Sequence, residues 1–199
     1  MNPAIEMLDT EVLSDNWYVL RKFTYRIRRA DGTWATHKRE AYDRGNGATI
    51  LLYDTGRRAV LLTRQFRLPT YVNGNPTGMM IEACAGLLEA ENPDVRIRLE
   101  LREETGYEVP EIRKVFEAYM SPGSVTEILH FYVAEYSQAN RVDSGGGIDE
   151  EEIEVLELPF DRALEMVGGG EIKDAKTIML LQYAALNLFS EARNALRER

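Results

Sequence analysis

Residues 86–107 read GLLEAENPDVRIRLELREETGY, and three carboxylates in its second half, Glu100, Glu103 and Glu104, decide how the chain is read. On a helix they crowd toward one side, where like charges three or four residues apart cost roughly 0.2–0.5 kcal/mol per pair. A divalent cation reverses that cost. The local signals support a helix over Pro93 to Thr105. Asn92 is a good N-cap, Pro93 suits the first helical position, and Gly106 falls where helices commonly end in a left-handed residue. A solvated acidic helix face is the plain alternative, because charge runs on helices are usually surface.

The order of residues adds to this. The segment resembles the signature of the Nudix hydrolases: a glycine, a spacer, a glutamate, a second spacer, then Arg-Glu-apolar-x-Glu-Glu-x-Gly-apolar. Gly86 matches the first glycine, and Glu100-Leu101-Arg102-Glu103-Glu104-Thr105-Gly106-Tyr107 matches the end without a gap. Two positions depart from the pattern. Leu99 stands where the family has an arginine that braces the metal-binding carboxylates. Counted forward from Gly86, Asn92 replaces the first glutamate; counted back from Gly106, that glutamate is Glu91 and the first spacer is one residue shorter.

The resemblance covers nearly the whole chain and is closest to the GDP-mannose hydrolase subgroup of the ADP-ribose pyrophosphatase-like branch. It is carried by His37-Lys38-Arg39-Glu40, Tyr42-Asp43-Arg44-Gly45-Asn46-Gly47, Arg64-Gln65-Phe66-Arg67, Ser121-Pro122-Gly123, Val125-Thr126-Glu127 and Gly145-Gly146-Gly147.

With 199 residues the chain has length for one substantial core and is short for two average domains. Its 44% hydrophobic and 29% charged content is ordinary for a soluble globular protein. The apolar run from Ile178 to Phe189 is interrupted by Gln182 and Asn187, and MNPAIEMLDTEVLSDN has neither a basic start nor an apolar signal core. These features lead us to expect a cytoplasmic protein with no membrane partner. The net charge of −9 argues against nucleic acid as a partner. It also repels a free pyrophosphate, so an acidic enzyme acting on a polyanion needs Mg²⁺ and a local set of lysines and arginines. Cys84, the single cysteine, lies between Ala83 and Ala85 and reads as a buried, inert thiol.

The first fifteen residues read as an arm. Strand-like spacing from Trp17 to Arg29 and from Thr33 to Tyr42 flanks Ala30-Asp31-Gly32, a hairpin signal. Further strands are expected at Ala48 to Tyr53, Ala59 to Phe66, Met79 to Ala85, Ile112 to Tyr119, Glu127 to Glu135 and Glu152 to Leu158. Helices are expected at Pro93 to Thr105, Phe160 to Val167 and Ala175 to about Leu196, with Gly168-Gly169-Gly170 as punctuation. That alternation suggests a mixed sheet covered by helices, an α/β arrangement. The resemblance implies a Nudix α/β/α sandwich over residues 45–199. It also implies an N-terminal arm and β-hairpin over residues 1–44 that crosses to a second subunit, giving a homodimer with exchanged hairpins.

Glu100 and Glu104, about one helical turn apart, can share a Mg²⁺ ion, which prefers oxygen ligands in near-octahedral geometry. The resemblance adds the backbone carbonyl of Ala85 as a ligand. It implies a glutamate of the run Asp149-Glu150-Glu151-Glu152 as a further ligand and water-activating group, with Glu151 the matching position and Glu150 its neighbour. As bare composition that run reads as a solvated loop. Gly145 to Gly147 would give it mobility for closure over substrate. Glu103 has two readings: a partner of the metal or base, or a carboxylate that orders the loop, pairing with Arg102 or Arg96 or remaining solvated.

For the substrate, Arg67 is suited to a two-pronged phosphate contact, with a salt bridge to a helix carboxylate as the structural alternative. Lys38 and Arg39 are similar candidates from the hairpin edge, and Glu40 is an acceptor for sugar or base. Trp17 is either a stacking platform for a purine or a core residue. Glu127 and Lys176 match substrate-contacting positions, and Lys176 lies in the first turn of the final helix, which favours an anion. The resemblance also implies contacts at Ala85, Gly86, Leu87, Glu104, Glu150 and Glu151. The implied reaction is Mg²⁺-dependent hydrolysis of GDP-mannose to GMP and mannose 1-phosphate. ADP-ribose is the rival substrate, on Ser121-Pro122-Gly123. A non-catalytic nucleotide-sugar binding module is the rival class, motivated by Leu99 and Asn92.

Overall fold

The computed structural model describes residues 4–88, 92–148 and 152–190. The chain divides into two compact units, Met1–Asn46 with Tyr119–Ile128, and Gly47–Ala118 with Leu129–Arg199.

The first unit is a three-stranded antiparallel sheet of β1 (Ile5–Asp15), β2 (Val19–Arg28) and β3 (Trp34–Asp43), in that order. The expected hairpin is β2–β3. Its turn closes through the Arg29 amide donating to the Thr33 carbonyl at 2.7 Å, with Gly32 at φ 84°. The reading of the first fifteen residues as an arm is corrected: Ile5–Asp15 is a strand. Its register is marked by charge, since Glu6 stands opposite Arg26 and Glu11 opposite Lys22, and both pairs form ion pairs. Tyr119–Ile128 joins this unit through Tyr42, whose amide donates to the Ser124 carbonyl at 2.8 Å and whose carbonyl accepts from the Thr126 amide at 3.1 Å.

The second unit is a seven-stranded mixed sheet. Its path runs β10 (Glu154–Pro159), β5 (Ala59–Phe66), β4 (Gly47–Asp54), β9 (Ile128–Glu135) and β8 (Arg113–Tyr119), with β4 and β9 parallel. Strand β4 is central and covered on both faces, which is why GATILL reads as a continuous apolar run rather than an alternation. On one face Ala48, Ile50, Leu52, Tyr132 and Ala134 pack with Ile97 and Leu101 of α2 (Pro93–Thr105). On the other face Phe116 meets Phe131 of β9 and Tyr183 of α4 (Ala175–Asn187). With α3 (Phe160–Gly168) this is the expected α/β/α arrangement.

Beyond shifts of one or two residues at strand ends, the differences from expectation have local reasons. The strand expected at Met79 to Ala85 is two strands, β6 (Met79–Glu82) pairing with β5 and β7 (Cys84–Leu87) pairing with β4, with the crossover at Ala83. A short helix α1 (Leu68–Val72) follows β5, started by Pro69 with Arg67 at its N-cap position. Helix α4 ends at Asn187, where the Leu188 and Phe189 amides both donate to the Ala184 carbonyl; the end expected near Leu196 lies outside the described residues.

Candidate active site

Helix α2 forms as its sequence indicates. The Asn92 side chain accepts from the Asp94 amide at 2.9 Å, Pro93 opens the first turn, and Gly106 closes the helix at φ 75°. Its buried face is Ile97, Glu100, Leu101, Glu104 and Thr105, the i, i+3, i+4, i+7, i+8 stripe that should be apolar throughout. Two carboxylates occupy it, Glu100 at 8% exposure and Glu104 at 4%. The solvated reading of these two is therefore corrected. Burying charge is costly unless it is paired, and Arg96, one turn earlier, forms an ion pair with Glu100. Arg96 thus supplies a cation beside Glu100 although Leu99 occupies the arginine position of the signature. Leu99 itself is 42% exposed.

Strand β7 runs against this face. Gly86 is pressed onto Glu100 so closely that a Cβ at position 86 would stand 2.0 Å from Glu100 Cδ and Oε1. Cys84 is buried and makes no disulfide; burial, and then the charges of Glu104 and Glu100, push its thiol far up and keep it protonated. Ala85 and Leu87 are half-buried beside them. Glu103, on the neighbouring side of α2, is half-buried and makes no ion pair among the described residues. The cations suggested for it are engaged elsewhere, Arg96 with Glu100 and Arg102 with Glu108 at 3.0 Å.

The Gly145–Gly147 run has a structural task. The Gly146 and Gly147 amides donate to the carbonyls of Glu104 at 2.9 Å and Glu103 at 3.0 Å, satisfying the C-terminal end of α2. With Leu99, Arg102 and Glu103 this run borders a cleft of about 400 Å³. The run thus caps the end of α2, a task that its glycine composition alone does not show. The neighbouring acidic positions Asp149, Glu150 and Glu151, like Glu91, lie outside the described residues.

Arg67 and Lys176 converge on a residue that the sequence reading missed. Glu82, 3% exposed at the end of β6, accepts from Arg67 Nε at 2.9 Å and Nη2 at 3.0 Å, and from Lys176 Nζ at 2.6 Å. Burial alone would push Glu82 upward, but Lys176 and the two-pronged Arg67 outweigh it and hold the carboxyl at about 2. Arg67 is raised in turn: burial opposes the charge, Glu82 overcomes it, and Glu104 and Asp174 add to the field. The salt-bridge alternative for Arg67 is thus realised with a strand carboxylate rather than a helix one. The expected signal was available, because a lone glutamate inside MMIEACAG needs a partner when buried.

Lys176 also lies 3.0 Å from Asp174, the N-cap of α4, whose side chain accepts from the Thr177 amide. The second unit therefore gathers Arg67, Ala85, Gly86, Leu87, Glu100, Glu103, Glu104 and Lys176 from the sequence-derived candidates. The first unit carries Trp17, Lys38, Arg39, Glu40 and Glu127, while Glu150 and Glu151 lie outside the described residues. Trp17 is 85% exposed with its edge toward Tyr18, which excludes a core role within the chain. Lys38, Arg39 and Glu40 are exposed on β3. Glu127 is mostly covered and lies 3.5 Å from Arg44, which sits over the Tyr18 ring.

For a divalent ion, Glu100 and Glu104 offer two oxygen donors on one buried face, and the missing Cβ of Gly86 leaves room for the first of them. That chemistry fits Mg²⁺. Among the described residues no group of three or more His, Cys, Asp or Glu side chains is arranged to hold a metal ion. Glu151, the third carboxylate implied by the sequence, is not among those residues.

The model of the NUDIX domain matches residues 43–181. The chain belongs to the Nudix family. Ahead of this Nudix domain, residues 4–42 match the GDP-mannose pyrophosphatase NudK N-terminal domain. Similar proteins include a GDP-mannose pyrophosphatase of Klebsiella pneumoniae subsp. pneumoniae, 59% identical over 92% of this chain and 92% of its own length. Those of Salmonella typhimurium and Escherichia coli O9:H4 are 58% and 57% identical, each over 92% of this chain and 96% of the relative. The α/β architecture with an N-terminal antiparallel sheet agrees with this Nudix membership, and the chain is a Nudix pyrophosphohydrolase. No helix among the described residues is long and apolar enough to cross a membrane.

Proposed function

We propose that this chain hydrolyses the pyrophosphate bond of GDP-mannose, giving GMP and mannose 1-phosphate, with Mg²⁺ as its metal. One observation carries the chemistry: two buried carboxylates on one face of α2 lie in the same unit as Arg67 and Lys176, both oriented by the buried Glu82. The choice of nucleotide sugar follows the activity named for relatives that match over 92% of the chain.

In this reading Glu100, Glu104 and the Ala85 carbonyl, with Glu151, would hold the ion, which when bound neutralises phosphate charge and assists formation of the nucleophile. Arg67 and Lys176 bind phosphate oxygens, and because Glu82 already orients both, little rearrangement is left to the substrate. Glu151 accepts the proton of the attacking water as the new P–O bond forms and the bridging P–O bond breaks, with Glu103 and Glu104 supporting it. Trp17 stacks on the base, and Lys38, Arg39, Glu40, Glu127 and Glu150, with the Gly86–Leu87 backbone, contact the remainder of the nucleotide sugar.

The active form in this reading is a homodimer with exchanged N-terminal hairpins. It is supported by Ile5, Met7, Leu8, Val12 and Leu13, which expose apolar surface along β1 that a second subunit would cover. We place it in the cytoplasm, consistent with a chain whose single cysteine, Cys84, has no intrachain disulfide partner.

The test is product chromatography after incubation with GDP-mannose, ADP-ribose and other nucleotide sugars, with Mg²⁺ or EDTA. Metal-dependent release of GMP with GDP-mannose preferred is expected. Preference for ADP-ribose reassigns the substrate, and binding without turnover removes the catalytic reading.

A further inference from the structure

The buried threonine that follows Lys176 joins two strings of site residues. Thr177 is 0% exposed, and its hydroxyl accepts from the Ala83 amide at 2.6 Å while donating to Asp174 Oδ2 at 2.6 Å. Asp174 Oδ2 also accepts from the Thr177 amide at 2.9 Å, and Asp174 Oδ1 lies 3.0 Å from Lys176 Nζ. Lys176 reaches Glu82, the residue before Ala83. The connections therefore close a ring: Glu82 carboxylate, Lys176, Asp174, Thr177 hydroxyl, Ala83 amide, and back along the chain to Glu82.

An ordinary N-cap accounts only for the bond from the Thr177 amide to Asp174. It does not account for the bond across to Ala83, at the crossover where β6 leaves β5 and the chain turns to pair with β4. Two residues beyond that crossover lies Ala85, and then Gly86 against Glu100. Two further buried threonines hold the same segment, Thr63 donating to the Glu82 carbonyl at 3.3 Å and Thr49 to the Cys84 carbonyl at 3.0 Å. Thr177 alone among the three ties it to the helix that bears Lys176.

We infer that Thr177 is a positioning residue for pyrophosphate recognition: its hydroxyl fixes the register between Lys176 on α4 and the Glu82–Gly86 segment. This rests on the reading of Arg67 and Lys176 as phosphate-binding groups. A hydroxyl is required because it must donate to a carboxylate and accept from an amide at once, which neither a methyl nor a thiol of equal reach does well.

The experiment compares the full-length protein with Thr177→Val, Thr177→Ser and Thr177→Ala. Readouts are inorganic pyrophosphate affinity by calorimetry in Mg²⁺, thermal midpoint, and exchange of the Ala83 amide by NMR. Both Thr177→Val and Thr177→Ala should bind pyrophosphate about tenfold more weakly and release the Ala83 amide to exchange, whereas Thr177→Ser should stay near the parent in both. Thr177→Ala leaves a small space instead of forcing a methyl onto an amide, so it carries the comparison should Thr177→Val not fold. A lowered midpoint with unchanged pyrophosphate affinity reduces the ring to helix capping and overturns the inference, as does failure of Thr177→Ser to preserve affinity. Neither outcome depends on which nucleotide sugar is turned over, so GDP-mannose inactivity of the parent protein is a separate result.

Discussion

The carboxyl group of Glu100 fills the space in which residue 86 would carry a Cβ, with Cδ and Oε1 both 2.0 Å from that point. Glycine is needed here for room, since Gly86 has no unusual φ. In Gly86→Ala the side chain of Glu100, rather than the strand, is the mobile partner and must swing away. The expected outcome is at least a hundredfold loss of turnover, or about 3 kcal/mol of transition-state stabilisation, with a much smaller change in thermal midpoint. A Michaelis–Menten series beside a melting curve checks the split.

Glu100→Gln and Glu104→Gln should each lower kcat by about a thousandfold or more, because each removes a metal-ligand charge while keeping the side-chain shape. Both residues are buried on the apolar stripe of α2 and glutamine keeps their side-chain volume, so both variants should fold, with Glu100→Gln the less stable of the two because it removes the ion pair with Arg96. Near-normal turnover by either at saturating Mg²⁺ would sink the ligand assignment. Glu151→Gln should lower kcat more than it raises KM, with Glu150→Gln the milder change.

Glu82 makes stability depend on acidity. Its folded carboxyl is held near 2 by Lys176 and Arg67 against burial, below the ordinary 4.5 of a glutamate. A depressed carboxyl contributes stability that is complete above about pH 4.5 and is lost as pH falls toward 2. The contribution at neutral pH is on the order of 3 kcal/mol. Denaturant melts from pH 2 to 7 should show Glu82→Gln well below the parent at pH 7, with the gap closing across that window. A constant gap would mean that the ion pairs contribute nothing through charge.

Restoring the signature arginine should change little. Leu99 is exposed, so Leu99→Arg buries no charge, and Arg96 already pairs with Glu100. A thermal midpoint within a few degrees of the parent and a Mg²⁺ requirement altered by about 1 kcal/mol or less are expected. Arg96→Gln should instead raise the Mg²⁺ concentration needed for half-maximal activity. A severe destabilisation by Leu99→Arg would show that position 99 is buried in the active assembly.

What the sequence made legible follows the range of its signals. Helix α2 was readable to the residue because Asn92, Pro93 and Gly106 act locally, and the hairpin because Asp31 and Gly32 do. Strand β1 was missed because its evidence is the pairing of Glu6 with Arg26 and Glu11 with Lys22, separated by a turn that no short window spans. The break at Ala83 is invisible for a similar reason: β6 and β7 are one apolar run whose two halves choose different partners. Glu82 and Thr177 depend on contacts between residues about ninety positions apart, so only the oddity of a lone acid in a strand, or a D-x-x-T cap, marked them.

The glycine run supplies the last test. Gly145 has φ 64°, and a Cβ there would meet backbone atoms, the Thr105 carbonyl carbon at 2.4 Å and the Glu104 oxygen at 2.6 Å. Neither can yield as a side chain does, because both belong to the last turn of α2, whose carbonyls at Glu103 and Glu104 are satisfied by Gly147 and Gly146. Gly145→Ala must therefore prise the run from the helix end, adding left-handed strain to lost hydrogen bonds, and should destabilise the protein by about 2–4 kcal/mol. Gly123 is the control, since nothing lies within 4 Å of a Cβ there and its φ is not left-handed. Were the run a hinge rather than an anchor, Gly145→Ala would leave the melting temperature near that of Gly123→Ala and alter turnover alone. Parallel thermal melts of the two variants, with kcat measured well below both transitions, tell these outcomes apart.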